Sequence, residues 1–260
     1  RIVSEYDQLI SGGTVNIKMS ADTNLENDNN ENWLRDASII TKFNKNLNEK
    51  FKINLDSAFQ TSPTYLRRTD QNNLLNRKSA LSTSANLDGY YLRKIDDHLN
   101  VNVSGYQIVR NNEDNKTTPT TFPYIKYSTG TNTINETNYN QDIGFYNIFR
   151  DLSTADHAQQ QQKIYYDLST DYEFYGYKSK LNLKTKFLNQ FYKTENKQIS
   201  GTNYNGTYAR IFPMTGLLLE TPLINRKNNL IITPKLSLIL NGSQPSSDKV
   251  SNEESTNNSY

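Results

Sequence analysis

Residues 164–174 carry the pattern that decides the fold: they read Ile-Tyr-Tyr-Asp-Leu-Ser-Thr-Asp-Tyr-Glu-Phe, with apolar and polar side chains largely alternating. Successive side chains of a β-strand point to opposite faces, so this stretch predicts a strand with one apolar and one polar face. The same alternation occurs in five other places, at 15–20, 51–59, 81–91, 99–104 and 181–187. Its recurrence along almost the whole chain predicts an all-β protein.

The polar segments between these runs differ in length. Short connectors contain turn residues at 12–13, 96–97 and 175–177, and long ones rich in Asn span 24–32, 111–121, 129–140 and 194–205. Unequal turns at the two ends of a meander are typical of outer-membrane barrels. We therefore predict a segment of an antiparallel up-and-down transmembrane β-barrel with about 10–12 strands, as an incomplete barrel and curved meander sheet. Residues 1–260 would form this single partial domain.

A soluble β-sandwich or solenoid with one wet face is the alternative. The runs at 81–91 and 164–174 match the roughly 9–11 residues of a membrane strand, whereas soluble strands average about 5–6. Aromatic residues also gather near run ends, at 90–91, 172–177 and 187–192, as the girdles of a membrane barrel do. Both features favour the barrel.

The composition excludes several classes of protein. Only 34% of the 260 residues are hydrophobic, although the chain has 18 Tyr. A barrel with a wet lumen needs only one apolar face, which accounts for this balance. A net charge of +2 argues against a nucleic-acid binder. The absence of Cys excludes disulfides, Cys-ligated zinc and thiol catalysis within this stretch.

The residues capable of catalysis form no convincing site. His98 follows Asp96 and Asp97, which allows an imidazole–carboxylate pair, but an exposed polar turn accounts for the same residues. Glu253 and Glu254 are adjacent, so on a strand they would point to opposite faces. We therefore predict no enzyme activity, no cofactor and no catalytic, cofactor-binding or metal site.

Prolines lie in or beside apolar runs at Pro123, Pro213, Pro222 and Pro234. Proline cannot donate to a strand ladder, so these positions predict strand edges, strand ends or bulges. In a barrel they would loosen particular seams or bend strands at the rim.

An ordered series of motifs resembles one known family. The segments are Ser62–Arg68, Leu87–Tyr91, Gly105–Gln107, a P-x-x-x-Y stretch at Pro123–Tyr127, Arg210–Pro213, Ile232–Lys235 and Ser251–Ser255. Their order and spacing resemble the lipopolysaccharide-assembly outer-membrane protein family (LptD, also called organic solvent tolerance protein). The residues that carry the later motifs are Pro213, Pro234, Asn252, Glu253, Glu254 and Ser255. The sequence departs from the family pattern at Thr233, Lys235 and Glu254, where the family favours Glu, Arg and Asp.

The resemblance implies a large barrel in the outer membrane of a Gram-negative bacterium. Such a barrel receives lipopolysaccharide from a periplasmic LptA-like bridge, through an N-terminal jelly-roll domain, and places it in the outer leaflet. An LptE-like lipoprotein plugs its lumen. We expect the sequence to be an internal barrel fragment, because the jelly roll, the first gate strands and the closing strands of the family are not recognisable in it.

On this interpretation, the polar faces of the strands line the lumen, and the apolar faces contact outer-membrane lipids. The polar residues predicted to face the lumen are Ser82, Asn86, Asp88, Asp167, Asp171, Lys184 and Lys186. They would pass or bind sugar and hold the plug.

Three other functions stay open on the strand pattern. A porin or TonB-dependent receptor would share every strand-level feature. An outer-membrane hydrolase would need a His with Ser or Asp partners at one rim, and a surface adhesin would be compatible with the polar loops.

Overall fold

A computed structural model describes residues 1–23, 34–69, 80–94, 96–109, 115–176, 178–225, 230–242 and 248–251. In these ranges the chain forms fifteen strands, one short helix and one 3-10 turn. The strands are β1 (Ile2–Ile10), β2 (Gly13–Thr23), β3 (Leu34–Asn46), β4 (Phe51–Gln60), β5 (Ala80–Tyr90), β6 (His98–Ile108), β7 (Thr120–Ser128), β8 (Asn132–Ile134), β9 (Thr137–Phe149), β10 (Gln160–Gly176), β11 (Ser179–Ile199), β12 (Thr202–Glu220), β13 (Leu223–Asn225), β14 (Leu230–Ile232) and β15 (Lys235–Asn241). The helix α1 covers Tyr65–Thr69, and the 3-10 turn covers Asn115–Thr117.

Twelve of these strands follow one another across a single antiparallel sheet, in the order β1 to β7, β9 to β12 and β15. Strand β8 adds to β9, and β13 pairs with β14 as a separate hairpin. The prediction of an all-β antiparallel meander is confirmed. Within the described residues, β1 pairs only with β2 and β15 only with β12, so the sheet is not closed.

The six runs of alternating residues lie on strands, apart from Tyr91 just after β5, and the central strands are long. Strands β10, β11 and β12 have 17, 21 and 19 residues, which exceeds the roughly 9–11 that a membrane strand requires. The described part of the chain holds no helix of sufficient length and apolarity to cross a membrane.

Of the predicted long connectors, 24–32 lies outside the described residues, and the other three are wrong in part. Thr120 and Thr121, at the end of 111–121, belong to β7. Residues 194–205 form a continuation of the β11–β12 hairpin, because β11 runs to Ile199 and β12 begins at Thr202. Residues 137–140 likewise belong to β9. In both stretches most side chains on either face are polar, so no alternating hydrophobic pattern indicates a strand. Backbone hydrogen bonds to a neighbouring strand keep them extended.

The connectors divide the sheet into two ends. We call one the short-turn end, because three of its connectors span only 11–12, 47–50 and 177–178. The other is the long-connector end, where 24–33, 61–79, 109–119 and 150–159 join the strands. The short-turn end also has two connectors of intermediate length, 91–97 and 129–136, and one long connector, 221–234, whereas the tight turn 200–201 lies at the long-connector end. The asymmetry is that of outer-membrane barrels.

Little of the sheet is packed into a core. One small cluster of buried apolar side chains unites Ile40, Ala58, Leu66, Leu81 and Val109 at the long-connector end. Many other large hydrophobic side chains of the sheet are exposed, and most of the rest are only half-buried. A single-layer sheet has no second layer to cover its apolar face, so that face requires an apolar environment.

Candidate functional site

The strand register shows which side chains share a face of the sheet. Directly paired residues lie on the same face, so a path of pairs can be followed across the strands. Asp88 of β5 pairs with Asn100 of β6, and Asn100 pairs with Lys126 of β7. Lys126 pairs with Gly144 of β9, which pairs with Tyr165 of β10. These five residues therefore lie on one face, here called the polar face.

All seven predicted polar residues lie on the polar face. Ser82 and Asn86 share it with Asp88, because even spacing along a strand keeps side chains on one side. By the same rule Asp167 and Asp171 share it with Tyr165. Asp171 pairs with Lys184, and Lys186 lies two residues further along β11. The register thus brings residues from β5, β10 and β11 to one side of the sheet.

The opposite side, here called the apolar face, exposes large hydrophobic side chains. They include Met19, Ile39, Phe59, Ile125, Ile143, Ile164, Phe187, Phe191 and Ile211. Ile164 and Ile211 are 57% and 62% exposed although both lie within long central strands. So large an exposed apolar surface indicates contact with lipid or with another apolar surface.

Amide and carboxylate side chains link neighbouring strands across the polar face. Asn44 donates to Asn54 at 2.7 Å, and Asn54 donates to Asp88 at 3.3 Å. Asn100 then donates to the other oxygen of Asp88 at 2.7 Å. This ladder crosses β3 to β6 and fixes the predicted residue Asp88 between two amides. Asn102 donates to the predicted residue Asn86 in the same way.

His98 is not part of a turn, so that interpretation of the sequence was wrong. It begins β6, and its Nε2 lies 3.3 Å from Oδ1 of Asp88 rather than beside Asp96 or Asp97. Its ring stacks on Tyr90 with centroids 4.8 Å apart. Asp97 instead accepts a hydrogen bond from the Tyr127 hydroxyl at 2.7 Å. His98 therefore extends the ladder of the polar face.

A cavity of about 900 Å³ lies against β9 to β12 and β15. The predicted residues Asp171, Lys184 and Lys186 line it, and Lys184 pairs with Asp171 at 3.4 Å. Further polar-face residues that the sequence did not reveal also line it, among them Asn140, Gln190 and Arg210. They come from three different strands, and only the register brings them together. The other four predicted residues lie outside the cavity.

A buried cationic cluster lies on the polar face towards the long-connector end. The Lys163 side chain is only 3% exposed, and its ammonium lies 5.6, 5.1 and 5.4 Å from the ring centroids of Tyr146, Tyr165 and Tyr192. Cation–π attraction of this kind compensates for part of the cost of burying the charge. No pattern in the sequence indicates the cluster, because its lysine follows four glutamines.

The segment that follows β15 returns to this region. The Ser251 N–H donates to Oε1 of Gln161 at 2.7 Å, and Nε2 of Gln161 donates to the Ser251 carbonyl at 3.3 Å. The Ala158 N–H donates to Oγ of Ser251 at 2.6 Å. All three residues are buried, so Ser251, at the end of residues 248–251, is held against the polar face. We call residues 248–251 the return segment.

The motif prolines lie at changes in strand pairing. Pro213 of β12 directly precedes Met214, the first residue of β12 that pairs with β15. Pro234 directly precedes β15, and its carbonyl accepts from the Thr221 N–H at 3.2 Å. The other motif residues, Asn252, Glu253, Glu254 and Ser255, lie outside the described residues. Ser251, the first residue of this motif, is buried.

Comparison with known families shows which family the chain belongs to. A family model described as LPS transport system D, LptD, matches residues 35–259. The chain belongs to the LptD family. The match spans nearly the whole sheet, from the second residue of β3 onward, and it confirms the resemblance read from the motifs. No curated protein matches the chain.

LptD proteins transport lipopolysaccharide at the outer membrane of Gram-negative bacteria. They are transport and assembly proteins that bind lipopolysaccharide, and their β-barrel character agrees with the two-faced sheet. In the described part of the chain, no group of three or more His, Asp or Glu residues is placed to hold a metal ion.

Proposed function

We propose that this chain forms part of the barrel wall of an outer-membrane translocon that inserts lipopolysaccharide into the outer leaflet. Membership of the LptD family supports transport of lipopolysaccharide. The observation that carries the more specific role is the division of the sheet into a polar and an apolar face. In this role the polar face lines the lumen and the apolar face contacts outer-membrane lipid.

The polar face fits a passage for sugar. Its side chains offer donors and acceptors in alternation, as in the ladder through Asn54, Asp88 and Asn100. Saccharide hydroxyls both donate and accept, so amides and carboxylates are their natural partners. Acyl chains are excluded from this surface, because burying it against hydrocarbon would leave its polar groups unpaired.

Two protein partners belong to the proposal. An LptE-like lipoprotein would occupy the lumen and contact the polar face, including the residues that line the cavity. A periplasmic LptA-like bridge would deliver lipopolysaccharide through an N-terminal domain. By the asymmetry of the connectors, the short-turn end faces the periplasm and the long-connector end faces outward.

Depletion of the protein in its host tests the proposal. Lipopolysaccharide at the cell surface is labelled with an impermeant reagent before and during depletion. We expect newly made lipopolysaccharide to disappear from the surface and to accumulate inside the cell. Unchanged surface lipopolysaccharide together with lost uptake of a solute would contradict the proposal and indicate a porin or a TonB-dependent receptor.

A further inference from the structure

The hairpin β13–β14 continues the pairing of β12 and β15 past the end of the large sheet. Glu220 pairs with Lys235 in the last pair of the β12–β15 ladder. Three residues further on, Leu223 pairs with Ile232, so the register is unchanged. The hairpin therefore projects beyond the sheet at the short-turn end.

The junction between the sheet and the hairpin contains two prolines, Pro222 and Pro234. The Thr221 N–H donates to the Pro234 carbonyl at 3.2 Å, but neither proline has an N–H to donate in return. An ion pair of 2.6 Å between Glu220 and Lys235 marks the end of the sheet beside the junction. Weak pairing at this point leaves the hairpin free to take a direction of its own.

Apolar side chains lie on both faces of the hairpin. Leu223 and Ile232 form one direct pair, and Ile224 and Ile231 form the next, which points to the opposite face. All four side chains are between 54% and 65% exposed. Within the described residues, neither strand pairs with a strand of the large sheet. A two-stranded hairpin is only marginally stable in water, so both faces require an apolar environment.

The apolar face of the sheet leads directly onto the hairpin. Because the register is unchanged, Leu219 of β12 and Leu223 of β13 lie on the same side of the chain. Leu236 of β15 and Ile232 of β14 lie beside them in the same way. The lipid that covers the apolar face therefore also reaches the hairpin. A lipid leaflet surrounds an inserted hairpin on both faces, whereas docking on a protein surface covers only one face.

The position of the hairpin along the strands matches the level of lipid head groups. A row of direct pairs joins Phe174 to Leu181, Leu219 and Leu236 across four strands. Aromatic rings of this kind mark the border of the hydrocarbon layer. Leu223 lies four residues beyond Leu219, which is about 13 Å along the strand and about 10 Å in depth for a tilted barrel strand. At this depth water reaches the unpaired backbone groups of the hairpin.

We propose that the β13–β14 hairpin binds the periplasmic phospholipid leaflet of the outer membrane, with lipid in contact with both of its faces. It holds the periplasmic ends of β12 and β15 at the boundary between head groups and acyl chains. This inference rests on the proposed function, which places the short-turn end in the periplasm and the apolar face in lipid. It adds an anchoring element below the barrel wall.

Quenching by nitroxide lipids tests the contact on each face. Ile224→Cys and Ile232→Cys, one on each face of the hairpin, are introduced singly into the full-length protein and labelled with the environment-sensitive fluorophore NBD. Each labelled protein is reconstituted into vesicles of phosphatidylethanolamine and phosphatidylglycerol, with or without a phospholipid that carries a nitroxide near its head group. We expect the nitroxide to quench both positions several-fold more strongly than a position in water.

Two reference positions make the result specific. Glu49→Cys lies in the exposed tight turn 47–50 at the same end of the sheet, and we expect it to be quenched weakly. Phe187→Cys lies on the apolar face and reports whether the sheet itself contacts lipid. The unaltered protein treated with the same reagent gives the background, and heat-modifiable electrophoretic migration reports whether each variant is folded.

Weak quenching at either hairpin position, together with strong quenching at Phe187→Cys, would overturn the inference and leave the proposed function standing. In that case, long-wavelength emission would indicate that the hairpin lies in water, and short-wavelength emission would indicate a protein partner. Weak quenching at Phe187→Cys as well would overturn both the inference and the lipid contact of the apolar face that the proposed function requires.

Discussion

At the scale of single residues, a glycine makes room for the buried cationic cluster. A Cβ added to Gly144 would lie 2.2 Å from Cζ and 2.4 Å from the hydroxyl oxygen of Tyr165. The Tyr165 ring therefore occupies the space above Gly144, on the strand opposite. In this position its centroid lies 5.1 Å from the ammonium of Lys163. The absence of one methyl group thus allows the ring to take its place beside the lysine.

We expect Gly144→Ala to lower the free energy of unfolding by about 1–3 kcal/mol, because overpacking forces the ring to shift. The unfolding midpoint in urea, followed in detergent by far-ultraviolet circular dichroism, gives this value. Gly216→Ala is a matched control on the same sheet, since no heavy atom lies within 4 Å of its added Cβ. Equal loss of stability in both variants would contradict the interpretation.

Alternation along the sequence predicted well which side chains of one strand share a face. It predicted poorly which side chains of different strands lie close together. It grouped Asp167 with Asp171, and Lys184 with Lys186, and the register then placed all of them on one face. It did not associate Arg210 or Asn140 with these residues, because the distance along the chain says nothing about the register of pairing. The cavity depends on that register.

At the scale of elements, strand pairing determines where a strand ends more closely than the hydrophobic pattern does. The β11–β12 hairpin continues past a register shift between Thr194 and Lys197, with Gln198 opposite Asn203. Its final pairs are mainly polar, so the sequence predicted a loop there. Polar residues on both sides suit strands that project beyond the hydrocarbon region into water. The six runs of alternating residues, by contrast, were correctly predicted as strands.

The return segment is an element held mainly by one side chain. We expect Gln161→Met to release residues 248–251, because it removes both hydrogen bonds to the Ser251 backbone, each worth about 1 kcal/mol. Hydrogen exchange of the backbone amides of residues 248–251, followed by mass spectrometry, measures this release. The exchange should become faster in this segment and stay unchanged in β4 and β5.

A neighbouring glutamine supplies the control for that experiment. Gln162 lies on the opposite face of β10, so Gln162→Met changes the same type of side chain without touching the return segment. We expect it to leave the exchange of residues 248–251 unaltered. Slow exchange in the Gln161→Met variant would show that other contacts hold the segment.

At the scale of the whole molecule, we expect the polar face to contact water and the apolar face to contact lipid. The chain has no Cys, so single cysteines can be introduced without interference. We expect Asn86→Cys and Lys186→Cys, on the polar face, to react with a water-soluble maleimide in intact outer membranes. Leu87→Cys and Phe187→Cys, their neighbours on the apolar face, should react several-fold more slowly, because lipid keeps the thiol from ionising. Equal rates within both pairs would refute the assignment of faces.

The described sheet has two edge strands, each with one unpaired side. Strands β1 and β15 each have one side without a partner in the described sheet, and each unpaired backbone group costs several kcal/mol in hydrocarbon. Leu236, Leu238 and Leu240 of β15 are also more than half exposed. We therefore expect residues 1–260, produced alone in detergent, to remain an open sheet that associates through its edges. Light scattering coupled to size exclusion should show mixed oligomers, and Tyr6→Cys combined with Leu238→Cys should give no intramolecular disulfide. A monodisperse monomer in which that disulfide forms readily would show instead that β1 and β15 close the barrel by themselves.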